Sequence, residues 1–229
     1  MLSKLTQRTA LVTNFARTFS GVNKNTNAYH IELNKKYVCH NYNSYDLAVE
    51  KAERCFVWDI EGRKYFDFMA GFGSTNQGHA HPEIVKALIE QAHKVTQTSR
   101  SFYNTQLGTF AEYICNLTGY DKFLPSSGGV EACESACKLA RRWGYNVKGV
   151  EANKAHIIMC NGNFWGRSIT ASGACDDDSR SKNFGPFTPG FPLVDYNNLE
   201  ALEAQMMREP NLVAVYLEPI QGEGGIIIP

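Results

Sequence analysis

Two serines and two glycines lead directly into a predicted helix. The segment 126–130 reads Ser-Ser-Gly-Gly-Val, and apolar residues at helical spacing follow it to about residue 146. Glycine allows a ligand to approach the backbone, and the first N–H groups of a helix lack internal partners and favour negative charge. The segment therefore predicts a phosphate-binding site, with an ordinary serine-capped helix as the open alternative.

A second segment, 161–167, follows a short apolar strand predicted at 156–160 and reads Asn-Gly-Asn-Phe-Trp-Gly-Arg. In open α/β sheets, ligands bind beyond the carboxyl ends of the strands. Phe164 can lie flat on a planar ring, and Arg167 can bind a carboxylate through two hydrogen bonds. The alternative is an apolar loop anchor beside a solvated arginine.

A third segment, 218–225, reads Glu-Pro-Ile-Gln-Gly-Glu-Gly-Gly and follows a buried strand predicted at 212–217. Its two carboxylates, its amide and its glycine-rich backbone offer polar groups to a site without adding bulk. A turn with acidic side chains on the surface explains the segment equally well.

Strands and helices that alternate along the chain must position these segments. Aromatic, β-prone runs at 55–59 and 64–68 predict a hairpin, and Pro82 opens a helix with apolar residues at helical spacing. The order of elements predicts an α/β fold with a mainly parallel sheet. The remaining predicted elements are helices at about 105–118, 129–146 and 197–208 and strands at 156–160 and 212–217.

Composition excludes several classes of partner. The 229 residues are 43% hydrophobic, which is enough for a substantial core. The 23 basic residues equal the 23 acidic ones, so no net field favours nucleic acid or a membrane surface, and no apolar run is long enough to span a membrane. The seven cysteines are scattered without metal-ligand spacing around Cys133 and Cys137, so we expect reduced thiols, no metal and no disulfide scaffold.

The first 25 residues differ in composition from the rest of the chain. Lys4, Arg8, Arg17 and Lys24 are interleaved with hydroxyl and apolar residues, and the first acidic residue is Glu32. This composition predicts a transit peptide at 1–25 and a location in the mitochondrial matrix. The N-terminus of a cytoplasmic protein is the alternative.

The order and spacing of these segments, from about residue 36 to Pro229, resemble the class III aminotransferases and, among these, the members that act on ornithine. The resemblance implies the pyridoxal-phosphate-dependent transferase fold type I, in which helices flank a mainly parallel sheet. It implies an N-terminal segment with a hairpin at 26–80 and part of the large, cofactor-binding domain at 81–229. The most specific stretches are 40–42, 58–68, 76–82, 136–145, 162–167, 184–187 and 218–223.

The resemblance implies that pyridoxal 5'-phosphate is the cofactor and that five residues bind it. Gly129 and Val130 match the backbone turn that binds the phosphate. Phe164 matches the aromatic residue that stacks on the pyridine ring, with Trp165 beside it. Glu218 matches an acid at the edge of the cofactor.

Four further residues match positions that contact substrates in the family. Arg167 matches the residue that binds a substrate carboxylate, and Tyr42 matches a tyrosine that helps to select ornithine. Glu223 matches the acid that masks a second arginine until 2-oxoglutarate reacts. Phe72 stands where ornithine-specific members have tyrosine, so the substrate pocket loses a hydroxyl.

The implied reaction transfers the δ-amino group of ornithine to 2-oxoglutarate. The products are glutamate and glutamate semialdehyde, which cyclises to pyrroline-5-carboxylate, and the implied assembly is a homodimer or a higher homo-oligomer. One alternative is another class III ω-aminotransferase that acts on acetylornithine or 4-aminobutyrate. A second is a non-catalytic, truncated isoform that pairs with full-length subunits.

The family pattern continues beyond the segment that 218–223 matches. The Schiff-base lysine, the aspartate that pairs with the pyridine nitrogen and the second-substrate arginine all follow it. We therefore expect no catalytic residue within a chain that ends at Pro229, and no transaminase activity from residues 1–229 alone.

Overall fold

The computed structural model describes residues 23–229, so nearly all of the transit peptide predicted at 1–25 lies outside the described residues. The chain divides into two compact units, with the boundary between Asn104 and Thr105. The domain boundary predicted at residue 81 stays a prediction.

The first unit contains a three-stranded antiparallel sheet in the order β1-β2-β3. The predicted hairpin is confirmed as β2 and β3, and Gly62 has a left-handed φ of +84° in the turn between them. The predicted helix at Pro82 is also confirmed. Proline suits the first helical position, because an N–H group there would have no partner within the helix. The elements are α1 (Asn27–Tyr37), β1 (Val49–Glu53), β2 (Phe56–Asp59), β3 (Lys64–Phe66) and α2 (Pro82–Ala92).

Polar side chains join α1 to the hairpin. Among the residues that the structure describes in the first unit, the buried ones are Asn27 and Asp59, which are 8% and 2% exposed. Asn27 Nδ2 donates to Asp59 Oδ2 at 2.9 Å, and the Ala48 N–H donates to Asn27 Oδ1 at 2.8 Å. Asp59 Oδ2 also accepts hydrogen bonds from Arg63 Nε and the Tyr65 hydroxyl. Asp59 is therefore the centre of the hydrogen-bond network of this unit.

The second unit contains a parallel sheet in the order β5-β4-β6, so the predicted α/β class is confirmed. The predicted strands at 156–160 and 212–217 and the helices at about 105–118 and 197–208 are present with small differences at their ends. The elements are α3 (Leu107–Thr118), α4 (Gly129–Trp143), β4 (His156–Cys160), α5 (Ile169–Gly173), α6 (Asp178–Ser181), β5 (Leu193–Val194), α7 (Leu199–Arg208) and β6 (Leu212–Tyr216).

The central strand β4 is buried on both faces, which explains its unbroken apolar sequence. Successive side chains of a strand point to opposite faces. Met159 packs in one cluster with Cys137 of α4, and Ile158 packs in another with Leu202 of α7. Helices on both sides of the sheet thus hold the carboxyl end of β4 in place.

The third predicted helix, at 129–146, ends differently from the prediction. The α-helix stops at Trp143, and a π-helical turn follows over Gly144–Lys148. A Cβ atom on Gly144 would lie 2.1 Å from Cγ1 of Val213 on β6. This close approach of helix and strand depends on tertiary packing, which helical periodicity does not reveal.

Within residues 23–229, no helix is long and apolar enough to cross a membrane. The same residues contain no group of three or more side chains that could hold a metal ion.

Candidate functional site

An open cleft of about 460 Å³ lies beyond the carboxyl ends of β4 and β6 in the second unit. Three segments line it: the start of α4, the loop after β4 (the ring loop, residues 161–167) and the loop after β6 (the acidic loop, residues 217–225). The volume is in the usual range for a site that holds a small ligand. We call it the β4–β6 cleft. The residues predicted to bind a cofactor all line it: Gly129, Val130, Phe164, Trp165 and Glu218.

The start of α4 presents backbone N–H groups to this cleft. Gly128 precedes the helix in an extended conformation, and no side chain caps the helix there. The first N–H groups of a helix have no partner within it, and the helix dipole gives this end partial positive charge. The arrangement suits an anion. The alternative of a serine-capped helix is wrong, because Gly128 occupies the N-cap position and the backbone N–H of Ser127 donates to the Glu131 carboxylate.

The ring loop is fixed to both neighbouring segments. Gly166 lies directly against the Val130 side chain, which brings the loop to the start of α4. The Phe164 N–H donates to Glu218 Oε2 at 3.1 Å, and the Gly222 N–H donates to Glu218 Oε1 at 3.3 Å. The Glu218 carboxylate therefore joins the ring loop to the acidic loop.

Two buried polar atoms on residues that line the cleft have no hydrogen-bond partner among the described residues. They are Asn163 Oδ1 and Trp165 Nε1. The amide nitrogen of Asn163 donates to the carbonyl oxygens of Cys160 and Ala174 at 2.7 and 2.8 Å, whereas the amide oxygen of the same side chain accepts no hydrogen bond from the described residues. An unpaired buried polar atom is costly, so these atoms favour a polar ligand or water nearby.

Sequence reasoning did not identify Tyr216 and Cys133 as cleft residues. Burial, followed by a hydrogen bond with Cys133, raises the pKa of Tyr216, so its phenol stays protonated. Strand periodicity places Tyr216 on the same side as Glu218, and helix periodicity places Cys133 one turn after Gly129. These two spacings could have identified Tyr216 and Cys133 as residues of the cleft.

The cysteine thiols in the core lie in apolar surroundings. Burial raises the pKa of the Cys137 thiol to about 11 and also raises that of Cys160. A thiol with a raised pKa carries little thiolate and is a weak nucleophile near neutral pH. These two residues therefore serve the packing of the sheet.

The four predicted substrate residues do not line the β4–β6 cleft. Arg167 and Glu223 are exposed in the ring loop and the acidic loop of the second unit. Tyr42 and Phe72 belong to the first unit, where Tyr42 lines a separate cleft of about 750 Å³ against α1. Phe72 is 71% exposed and has a φ of +56°, which is unusual for a residue with a side chain. Their roles stay predictions.

Comparison with known proteins agrees with this geometry. The family described as aminotransferase class-III matches residues 37–229. The chain belongs to the class-III aminotransferases. It is 53% identical over 195 residues to a probable mitochondrial ornithine aminotransferase of Caenorhabditis elegans, which covers 85% of this chain and 46% of the nematode protein.

Solved aminotransferase structures share the fold. An ornithine aminotransferase of Toxoplasma gondii, crystallised with oxidised glutathione and with partial occupancy of PLP at its active site, superposes with a TM-score of 0.88 and 42% identity. That match covers 94% of this chain and 50% of the Toxoplasma chain. An acetylornithine aminotransferase of Elizabethkingia anophelis gives a TM-score of 0.75 with 43% identity, and covers 89% and 47% of the two chains. The predicted fold type I is confirmed, and the chain spans about half the length of the proteins it matches.

Proposed function

We propose that the β4–β6 cleft binds pyridoxal 5'-phosphate and that the full-length protein is an ornithine δ-aminotransferase. In this reaction the δ-amino group of ornithine passes to 2-oxoglutarate, which yields glutamate and glutamate semialdehyde, and the semialdehyde cyclises to pyrroline-5-carboxylate. The observation that carries the proposal is the convergence of an uncapped helix start, an aromatic ring and a carboxylate in one cleft at the ends of two parallel strands.

The groups in the cleft fit the parts of this cofactor. The N–H groups of Gly129 and Val130 suit a phosphate, because a helix start offers both donors and a favourable dipole. The Phe164 ring suits the face of a planar heterocycle. The unpaired atoms Asn163 Oδ1 and Trp165 Nε1 suit the polar substituents of such a ring.

Pyridoxal phosphate supplies an electron sink for the amino-group chemistry when it is bound. The residues of this chain would hold and orient it. The helix start would bind the phosphate, the Phe164 ring would stack on the heterocycle, and the Glu218 carboxylate keeps the two loops together through two backbone N–H groups. Correct orientation of the bond that must break is the main contribution of the protein in such enzymes.

The substrate roles rest on family matching. Arg167 would bind a substrate carboxylate, Tyr42 would select ornithine, and Glu223 would mask a second arginine until 2-oxoglutarate enters. Relatives named as mitochondrial support a location in the mitochondrial matrix, which we propose together with assembly as a homodimer or higher homo-oligomer.

The test is a steady-state assay of the purified full-length protein with pyridoxal phosphate, ornithine and 2-oxoglutarate. Equimolar glutamate and pyrroline-5-carboxylate are the expected products. If the protein binds pyridoxal phosphate but leaves ornithine unchanged, the proposed substrate is contradicted and the proposed cofactor is retained.

A second candidate is an ω-aminotransferase with another amino donor, and Phe72 favours it because ornithine-specific members of the family have tyrosine at the matching position. The same assay with acetylornithine and 4-aminobutyrate decides between the two candidates. A higher kcat/KM for either donor than for ornithine would select the second candidate.

A further inference from the structure

Arg180 packs against the Phe164 ring. Its guanidinium carbon lies 5.3 Å from the ring centroid, within the distance at which a cation is attracted to the face of an aromatic ring. Arg180 lies in α6, a helix of only four residues, 16 positions after Phe164 in the sequence. The contact therefore forms only when the chain between the two residues folds back.

Hydrogen bonds fix the guanidinium in this position. Arg180 Nε donates to Asp177 Oδ2 at 2.7 Å, and Nη1 donates to the carbonyl oxygen of Asn163 at 3.1 Å. The Arg180 side chain is 23% exposed, so it is held against the protein. An arginine that binds both a carboxylate and the backbone beside the ring has little freedom to leave it.

Asp177 is itself anchored and charged. Its Oδ1 accepts the Ser179 N–H at 2.8 Å, which caps α6. Hydrogen bonds from Ser179 lower the pKa of Asp177 below its ordinary value, and the hydrogen bond and positive charge of Arg180 lower it further. The ion pair with Arg180 is therefore formed at neutral pH.

The guanidinium contacts the Phe164 ring but is not part of the lining of the cleft. Phe164 lines the β4–β6 cleft, whereas Arg180 does not. The backbone of Phe164 is held separately, through its N–H bond to Glu218. Phe164 is thus held at two points, its backbone by the Glu218 carboxylate and its ring by the Arg180 guanidinium.

We propose that Arg180 is a positioning residue that holds the Phe164 ring in the orientation in which it stacks on pyridoxal phosphate. The inference rests on the proposed function, because it takes pyridoxal phosphate as the ligand of the cleft. Arg180 acts through Phe164 and touches no substrate. Its loss frees the ring to turn, so the planar cofactor meets a less ordered surface and binds more weakly.

The experiment is a titration of the full-length apoprotein with pyridoxal phosphate, followed by quenching of tryptophan fluorescence. The variants are Arg180→Ala, Arg180→Lys, Phe164→Leu and the double variant Arg180→Ala/Phe164→Leu, with Arg208→Ala as an exposed arginine control on α7. Arg180→Ala should raise the Kd about fivefold or more, Arg180→Lys should raise it less, and Arg208→Ala should leave it unchanged.

The double variant separates a positioning role from a general structural one. If Arg180 acts through the ring, Arg180→Ala/Phe164→Leu binds no more weakly than Phe164→Leu alone. Thermal unfolding of each apoprotein checks that a change in Kd is not a loss of folded protein.

Three outcomes overturn the inference. An unchanged Kd in Arg180→Ala, with a raised Kd in Phe164→Leu, removes the role of Arg180 and leaves the proposed function intact. Equal effects of Arg180→Ala with and without Phe164 show that the effect bypasses the ring. Absence of pyridoxal phosphate binding by the unaltered protein removes both the inference and the proposed function.

Discussion

Gly166 lies so close to Val130 that a Cβ atom on Gly166 would stand 2.3 Å from Cγ2 of the valine and 2.6 Å from its Cβ. Gly166 also has a φ of +147°, a conformation that side chains rarely permit. Val130 is the second residue of α4, so this contact sets the distance between the ring loop and the helix start. The two sides of the β4–β6 cleft are therefore joined at a position that accepts only glycine.

Substitution of Gly166 tests that contact. Gly166→Ala should lower the free energy of unfolding by about 2 kcal/mol or more, because the new methyl group meets Val130 and the backbone is strained as well. Gly149→Ala is the matched control, since Gly149 has a φ of +77° but no atom within 4 Å of the added Cβ. Its cost should be about 1 kcal/mol, from strain alone. Equal costs in urea unfolding of the two variants would contradict the close approach.

Local patterns in the sequence predicted the parts of the site that depend on neighbouring residues. Short unbroken apolar runs identified β4 and β6 and helical spacing identified α4, and the loops after the two strands lie beside a cleft, as expected for an open α/β sheet. The five predicted cofactor residues line one cleft for this reason. Family resemblance supplied the identity of the cofactor, which patterns alone left open.

Contacts between distant positions were not predictable in this way. Arg180 packs on Phe164 from a four-residue helix that is too short to show periodicity, and Asn27 pairs with Asp59 across 32 positions. Each contact involves at least one polar side chain, whose position follows from its partner and not from hydropathy. The elements α5, α6 and β5 were also missed, because they are too short to show periodicity.

The N–H group of Gly129 can be removed without disturbing the helix. Proline is tolerated at the first position of a helix, and Gly128 before it is already extended (φ −147°, ψ 158°), as a residue before proline must be. Gly129→Pro should therefore keep the fold and raise the Kd for pyridoxal phosphate about tenfold or more, the value of one charge-assisted hydrogen bond.

Gly129→Ala is the control for this change, because it keeps the N–H and its Cβ meets no atom within 4 Å. Far-UV circular dichroism and thermal unfolding of the apoproteins establish that both variants are folded. If Gly129→Pro and Gly129→Ala bind pyridoxal phosphate equally well, the phosphate does not use this N–H.

Acid should loosen the first unit through Asp59. Burial by itself raises the pKa of Asp59, but hydrogen bonds from Asn27, from the Arg63 N–H and from Tyr65, with the charge of Arg63, outweigh it and lower the pKa from 3.8 to about 2. A carboxyl with a lowered pKa in the folded state stabilises that state above its unfolded pKa. This contribution is present above about pH 4 and is lost as the pH falls towards 2.

Hydrogen exchange of the peptide that contains Ala48 reports on this cluster, since the Ala48 N–H donates to Asn27. Protection in the unaltered protein should fall between pH 4 and pH 2 after correction for the intrinsic rate. Asp59→Asn should already be less protected at pH 7 and should lose less on acidification, whereas the exposed control Asp46→Asn should behave as the unaltered protein. Parallel acid profiles for Asp59→Asn and the unaltered protein would rule out Asp59 as the source.

Phe72 offers a test of the amino-donor preference. Tyrosine has the same shape up to its hydroxyl, so Phe72→Tyr adds one hydrogen-bonding group without changing the demands on a backbone with φ of +56°. A site that hydrogen-bonds a substrate discriminates strongly against analogues that lack the matching group. If Phe72 contacts the donor, Phe72→Tyr should raise the kcat/KM for ornithine relative to 4-aminobutyrate by about tenfold.

Phe68→Tyr, at a position that is 92% exposed, is the control and should leave the ratio unchanged. The same ratio in both variants would place Phe72 outside the substrate pocket, because an added hydroxyl that never meets the donor cannot change the relative stability of the two transition states.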